Sequence, residues 1–73
     1  MNMFPIMPAI EACINVMDIG NESERVQAGA WRQERDTITD GRGPIEDRNR
    51  ALVALLNRIQ PIADGVERAR RER

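Results

Sequence analysis

The first 20 residues, MNMFPIMPAIEACINVMDIG, are mostly apolar and include only two charged side chains. Pro5 and Pro8 oppose helix formation at the start, because proline fixes its own φ and restricts the residue before it. Beyond them the pattern predicts a helix from Ala9 to Ile19 that ends at Gly20. At 100° per residue its apolar positions cover an arc of about 220°, wider than the stripe of an ordinary surface helix. We therefore expect this helix to need neighbours on more than one side.

A second helix signal begins at Asn21. Glu24 follows three positions later, as in a capping box, and an acidic first turn suits the positive end of the helix dipole. We expect this helix to run from about 22 to 39. Its larger apolar residues are scattered around it, so it depends on packing against another surface; they are Val26, Ala30, Trp31 and Ile38. Trp31 is expected to pack within the fold or oligomer, with a binding hot spot for another protein as the alternative.

The stretch DGRGP at 40–44 separates the second helix from the third. It contains an Asp-Gly pair, a second glycine and a proline that can begin a helix. It lacks the spacing and the GK[ST] ending of a phosphate-binding loop. We predict a hinge or a tight turn between two helices.

The last segment, about 44–71, has the clearest amphipathic pattern. Its apolar residues follow a heptad, and we call them the heptad stripe: Ile45, Leu52, Leu55, Ile59, Ile62, Val66 and Ala69. Leu56 and Ala63 widen the stripe, which favours three or four packed helices over a two-stranded coiled coil. Arg48 occupies one position of the stripe. Pro61 falls on the polar side and predicts a kink, or two abutting helices at about 44–60 and 61–71.

These patterns predict an all-α fold of two to three helices, extended or arranged as a helical hairpin. A core built from 73 residues rarely contributes more than about 3–5 kcal/mol. One cysteine cannot form an internal disulfide, so we expect stabilisation by oligomerisation or by a partner protein. We divide the chain into an apolar docking segment at 1–20 and a helical region at 21–73. A core role for 1–20 is the alternative.

The sequence offers little for catalysis. It has no His, Tyr or Lys, and no base or cation is expected beside Cys13. Acidic residues alternate with arginines, which would repel a metal cation. We predict a protein that is not an enzyme and uses no metal or cofactor.

The C-terminal stretch ERARRER raises the question of nucleic acid binding. Its candidate phosphate contacts are Arg68, Arg70, Arg71 and Arg73. Glu67 and Glu72 offset much of this charge, and cations are favoured at the end of a helix in any case. We therefore favour a capped, solvated helix end, and nucleic acid binding through these arginines is the alternative.

The apolar N-terminal stretch is not expected to cross a membrane. Pro5, Pro8, Glu11 and Asn15 interrupt it well short of about 20 residues. It also lacks the basic start of a secretory signal. We expect a cytoplasmic location, or one within a larger assembly made there, which agrees with a lone free cysteine.

The function expected from the sequence is that of a structural or adaptor protein without enzymatic activity. It would self-associate or dock into a larger assembly, such as a phage particle or a bacterial complex, where methionine adapts well to irregular grooves. A regulator that binds nucleic acid, or inhibits a nucleic-acid-binding protein, is the alternative. The expected protein contacts are Phe4, Ile6, Met7, Ile10, Cys13, Ile14, Met17, Trp31, Leu52, Leu55, Leu56, Ile59, Ile62 and Val66.

Overall fold

The computed structural model describes residues 4–72 and contains three helices in that range. They are α1 (Met7–Asp18), α2 (Glu22–Thr39) and α3 (Ile45–Arg71), with no strand among the described residues. The predicted all-α fold is confirmed, with three helices. Stabilisation by oligomerisation stays a prediction.

Helix α1 begins two residues before the predicted start, because Pro8 lies in its first turn, where no backbone N–H is needed. It ends at Asp18, and its C-cap is Ile19. The observed end lies one residue before the predicted Ile19, and no described glycine, Gly20 included, has a positive φ. A Cβ at position 20 would collide with the carboxylate of Glu24 and the guanidinium of Arg70. Glycine leaves room here for the ends of these two side chains, which would have to move if a Cβ were present.

The predicted capping box at the start of α2 is confirmed. The Asn21 side chain accepts a hydrogen bond from the backbone N–H of Glu24 at 2.9 Å. The Glu24 side chain accepts one from the backbone N–H of Asn21, also at 2.9 Å. Two N–H groups that the helix itself leaves unpaired are satisfied in this way.

Helix α3 is continuous through Pro61, so the alternative of two abutting helices was wrong. Proline is tolerated because it lies on the exposed side of the helix. Water can reach the carbonyl of Asn57, which loses its hydrogen bond. The kink itself stays a prediction. The turn predicted at 40–44 is confirmed, since α2 ends at Thr39 and α3 begins at Ile45.

The three helices form an elongated bundle in which α1 and α3 run in the same direction. At one end the Arg48 guanidinium lies 5.8 Å from the centre of the Phe4 ring. At the other end Gly20 lies beside Arg70. Helix α2 runs back between these ends. The bundle measures 44 × 20 × 18 Å, and its length is set by α3, which spans roughly 40 Å.

The core draws on all three helices, and α1 contributes much of it. Its buried residues are Ile10, Cys13, Ile14 and Met17 from α1, Ala28 and Trp31 from α2, and Leu52, Leu55, Ile59 and Ala63 from α3. Partly buried side chains pack around this core, namely Phe4, Ile6, Met7, Val16, Ile38, Leu56 and Val66. Among the described residues no buried side-chain N or O atom lacks a hydrogen-bond partner.

The inner face of α1, which we expected to dock into a partner, lies in the core of this chain. Helix α1 packs against both α2 and α3, which gives its wide apolar arc the neighbours it requires. Binding a partner through this face would require α1 to leave the other two helices. Residues 1–3 of the proposed docking segment lie outside the described residues.

Candidate functional site

Two arginines of α2 hold this helix against α1. The Arg32 guanidinium donates to both carboxylate oxygens of Asp18, at 2.8 and 3.4 Å, and Arg35 lies 3.7 Å from Glu11. The hydrogen bond from Arg32 holds the pKa of Asp18 below its ordinary value, and the pKa of Arg32 is raised by the same contact. These pairs help to anchor a helix that is poor in apolar residues. Their sequence signal was the spacing of Glu11 and Asp18, which places both carboxylates on one face of α1.

Arg48 occupies a position of the heptad stripe without disrupting the fold. Its Nη1 donates to the Thr39 carbonyl at 2.9 Å, and its Nε donates to the Gly43 carbonyl at 3.1 Å. The same guanidinium faces the Phe4 ring. One side chain therefore connects the turn between α2 and α3 to the N-terminal segment, a role that the sequence pattern did not reveal.

Two ion pairs join α2 to α3, and their signs are arranged consistently. Arg70 lies 3.3 Å from Glu24, and Arg58 pairs with Glu34. We call Glu24 and Glu34 the acidic rim on α2, and Arg58 and Arg70 the basic rim on α3. Because α2 and α3 are antiparallel, each acidic residue lies at the same height along the bundle as its basic partner, and we call each such height a level.

An open cleft lies between the start of α2 and the second half of α3, and we call it the α2–α3 cleft. Its volume is about 510 Å³. It is lined by Gly20, Asn21, Glu24, Pro61, Ile62, Gly65, Val66, Ala69 and Arg70. Ile62 belongs to the heptad stripe, yet 48 % of it is exposed. The one large aliphatic side chain in the first turns of α2 is Val26, which is 69 % exposed and does not line the cleft.

A second surface, mostly apolar, is the exposed side of α1, which we call its outer face; at one edge of it Ala9 and Ala12 line a pocket together with residues of α3. It consists of the exposed residues Pro8, Ala9, Ala12, Asn15 and Ile19 and has no charge. Ile19 is 80 % exposed. The charged residues of α1, Glu11 and Asp18, lie at the edge of this face, where the α2 arginines bind them.

The thiol of Cys13 is part of the core and is poorly suited to nucleophilic chemistry. Burial, together with the nearby negative charge of Asp64, raises its pKa above the ordinary value. The thiolate, which is the reactive form, is thereby disfavoured. Within residues 4–72 no group of three or more His, Cys, Asp or Glu side chains is placed to hold a metal ion.

The residues predicted to bind protein fall into two groups. Most of them pack within this chain, including Trp31, which is 4 % exposed, and the centre of the heptad stripe at Leu52, Leu55 and Ile59. Ile62 instead is half exposed and lines the α2–α3 cleft, and Val66, which packs against the core, also lines it. The sequence pattern alone could not separate these groups, because a helical stripe does not show which of its residues a neighbouring helix covers.

The arginines considered for nucleic acid binding lie among carboxylates. Arg70 pairs with Glu24, and Arg71 lies 2.6 Å from Glu67. Arg68 is exposed beside Asp64 and Glu67. Arg73 lies outside the described residues.

Over residues 4–72, none of the helices combines the length and the apolar character needed to cross a bilayer. No protein-family model, curated protein or solved structure matches the chain.

Proposed function

We propose that this protein is a structural or adaptor subunit without enzymatic activity, which binds other protein chains through exposed apolar surfaces of its helices. It acts in the cytoplasm, or within a larger assembly made there, such as a phage particle or a bacterial complex. A single free cysteine in the core agrees with a reducing environment.

The observation that carries this proposal is the presence of two separate apolar surfaces on so small a bundle. The α2–α3 cleft exposes Ile62, and the outer face of α1 exposes Ile19. The two surfaces share no residue, because none of the residues that line the cleft belongs to the outer face of α1. Two distinct surfaces allow one chain to connect two others, as an adaptor must.

Nucleic acid binding has less support. Affinity for phosphates depends on cations that are free to replace counterions. Arg70 and Arg71 already have carboxylate partners, and Arg68 lies beside two carboxylates.

The proposal is tested by fractionating extracts of cells that naturally make the protein. We expect the wild-type chain to elute in a particle much larger than the 8.3 kDa chain or its dimer. Ile19→Asp and Ile62→Asp should each shift it toward smaller species, because each places a charge on an apolar contact surface. Val53→Asp is the matched control, since Val53 is also exposed on α3 but does not line the cleft. Elution of the wild type only as a free chain or a small oligomer contradicts the proposal.

A further inference from the structure

We propose that the α2–α3 cleft binds a second copy of this chain, forming a two-fold dimer in which the two bundles lie parallel. This inference rests on the proposed function and names one of its partners. It is argued from the charges on the two sides of the cleft, from the apolar residues between them and from the space above Gly65.

In one arrangement of two copies, the acidic rim of each copy faces the basic rim of the other. A two-fold axis along the cleft brings α2 of one copy opposite α3 of the other and keeps every residue at its own level. Glu24 then faces Arg70 of the second copy, and Glu34 faces Arg58 of the second copy. Each level becomes a ring of four alternating charges. The five N–H donors of a guanidinium allow it to bind a second carboxylate while it keeps the first.

The other way of pairing the same face is disfavoured. A two-fold axis perpendicular to the helices would bring α2 against α2 and α3 against α3. The acidic rims would then face each other, and so would the basic rims, at a cost that opposes association. The rims therefore select the parallel dimer.

The floor of the cleft suits a close contact between two copies of α3. Ile62 and Val66 supply apolar surface, and a Cβ added at Gly65 would meet no atom within 4 Å. The backbone of α3 is therefore bare at Gly65, and another helix can approach it closely. Burying Ile62 and Val66 against the second copy supplies the apolar contribution to association.

The interface is small, so the dimer is expected to be weak. From Arg58 to Arg70 the contact runs for about 18 Å along α3, and the bundle is about 20 Å wide. A face of this size falls at the low end of specific interfaces. Association should therefore appear in the micromolar range or above, and the experiment must cover a wide range of concentration.

The first test is sedimentation of the purified full chain over that range, with circular dichroism as a check on folding. Ile62→Asp should weaken association by about tenfold or more, while helicity is retained because Ile62 is exposed in the single chain. Val53→Asp should leave association unchanged. A wild-type chain that stays monomeric throughout overturns the inference, and so does equal weakening by both variants.

The second test examines the arrangement of the rims through the double variant Glu34→Arg with Arg58→Glu. Both side chains are exposed, and the swap preserves the ion pair within each chain. The variant should pair with itself, because acidic and basic rims still meet. When it is mixed with an equal amount of wild type, like charges meet in the mixed dimer at the level of residues 34 and 58. Mixed dimers should therefore make up less than the half expected for random pairing, as measured by native mass spectrometry. Statistical mixing overturns the parallel two-fold arrangement.

The two kinds of experiment distinguish failure of the dimer inference from failure of the proposed function. If the purified chain is monomeric but the wild type still elutes in a large particle from cell extracts, the dimer inference is overturned and the adaptor function stands. If the dimer forms but no larger particle exists, self-association stands and the adaptor function is overturned.

Discussion

At the residue scale, Arg48 shows how a charged side chain can occupy a position in an apolar stripe. Its guanidinium donates to the carbonyls of Thr39 and Gly43 and faces the Phe4 ring. Arg48→Ala removes both hydrogen bonds and the contact with Phe4, so we expect it to lower the free energy of unfolding by about 1–2 kcal/mol. Arg50→Ala, at an exposed ion pair on the same helix, should change it by less than about 0.5 kcal/mol. Urea denaturation measures both, and equal effects would contradict the role of Arg48.

The contact between Asp18 and Arg32 predicts a dependence of stability on pH. The pKa of Asp18 is lowered in the folded protein by the hydrogen bond from Arg32. The ionised Asp18 side chain therefore stabilises the folded state at pH values above the ordinary carboxyl pKa of about 4. This stabilisation is lost as the pH falls through the lower pKa of the folded protein. The urea concentration at the unfolding midpoint should decrease as the pH is lowered. In the Asp18→Asn variant this midpoint should depend less steeply on pH than in the wild type. Asp40→Asn, at an exposed residue beyond α2, is the control. Equal pH profiles for wild type and Asp18→Asn would refute this.

At the scale of the element, the heptad stripe of α3 divides into a covered half and an open half. Leu55 is buried in the core to which all three helices contribute, whereas Ile62 is half exposed at the cleft. Leu55→Asp buries an unpaired charge, so it should cost several kcal/mol and unfold the chain at every concentration. Ile62→Asp should keep the helical circular dichroism signal. If Leu55→Asp also keeps it, the stripe is not the core that the structure indicates.

The role of α1 in the core leads to a prediction for the element as a whole. Deleting residues 1–20 removes four of the buried core residues and exposes the faces of α2 and α3 that they cover. We expect the shortened chain to lose helicity throughout, as measured by circular dichroism, because isolated helices of this length are marginal in water. A stable helical pair at 21–73 would instead return support to the docking segment expected from the sequence.

At the scale of the whole molecule, stability should depend on protein concentration. A core drawn from 73 residues is small, and any dimer stabilises the folded state by mass action. The melting temperature should therefore rise as the protein concentration rises, and it should rise less for Ile62→Asp. A wild-type melting temperature that is constant across a wide concentration range would show a chain that is stable alone.

Much of the fold could be read from local sequence because its signals act over a few residues. Asn21 and Glu24 are three positions apart, so their capping box needs no tertiary contact to be recognised. The glycines and the proline of 40–44 mark the turn in the same way. The candidate site could be predicted only in part, since Ile62 and Val66 have the same spacing in the sequence as the buried Leu55 and Ile59.

The sequence by itself determined an all-α fold of two to three helices, the capping box of α2 and the turn between the last two helices, because hydrogen bonds and backbone preferences between near neighbours decide these features. Only the tertiary structure decided which apolar residues this chain covers for itself. It placed the inner face of α1 in the core, left Ile62 open at the cleft and gave Gly20 its place beside Glu24 and Arg70. It also paired Asp18 with Arg32, 14 positions away, and Glu24 with Arg70, 46 positions away. Such contacts depend on how whole helices lie against one another, which no local pattern specifies.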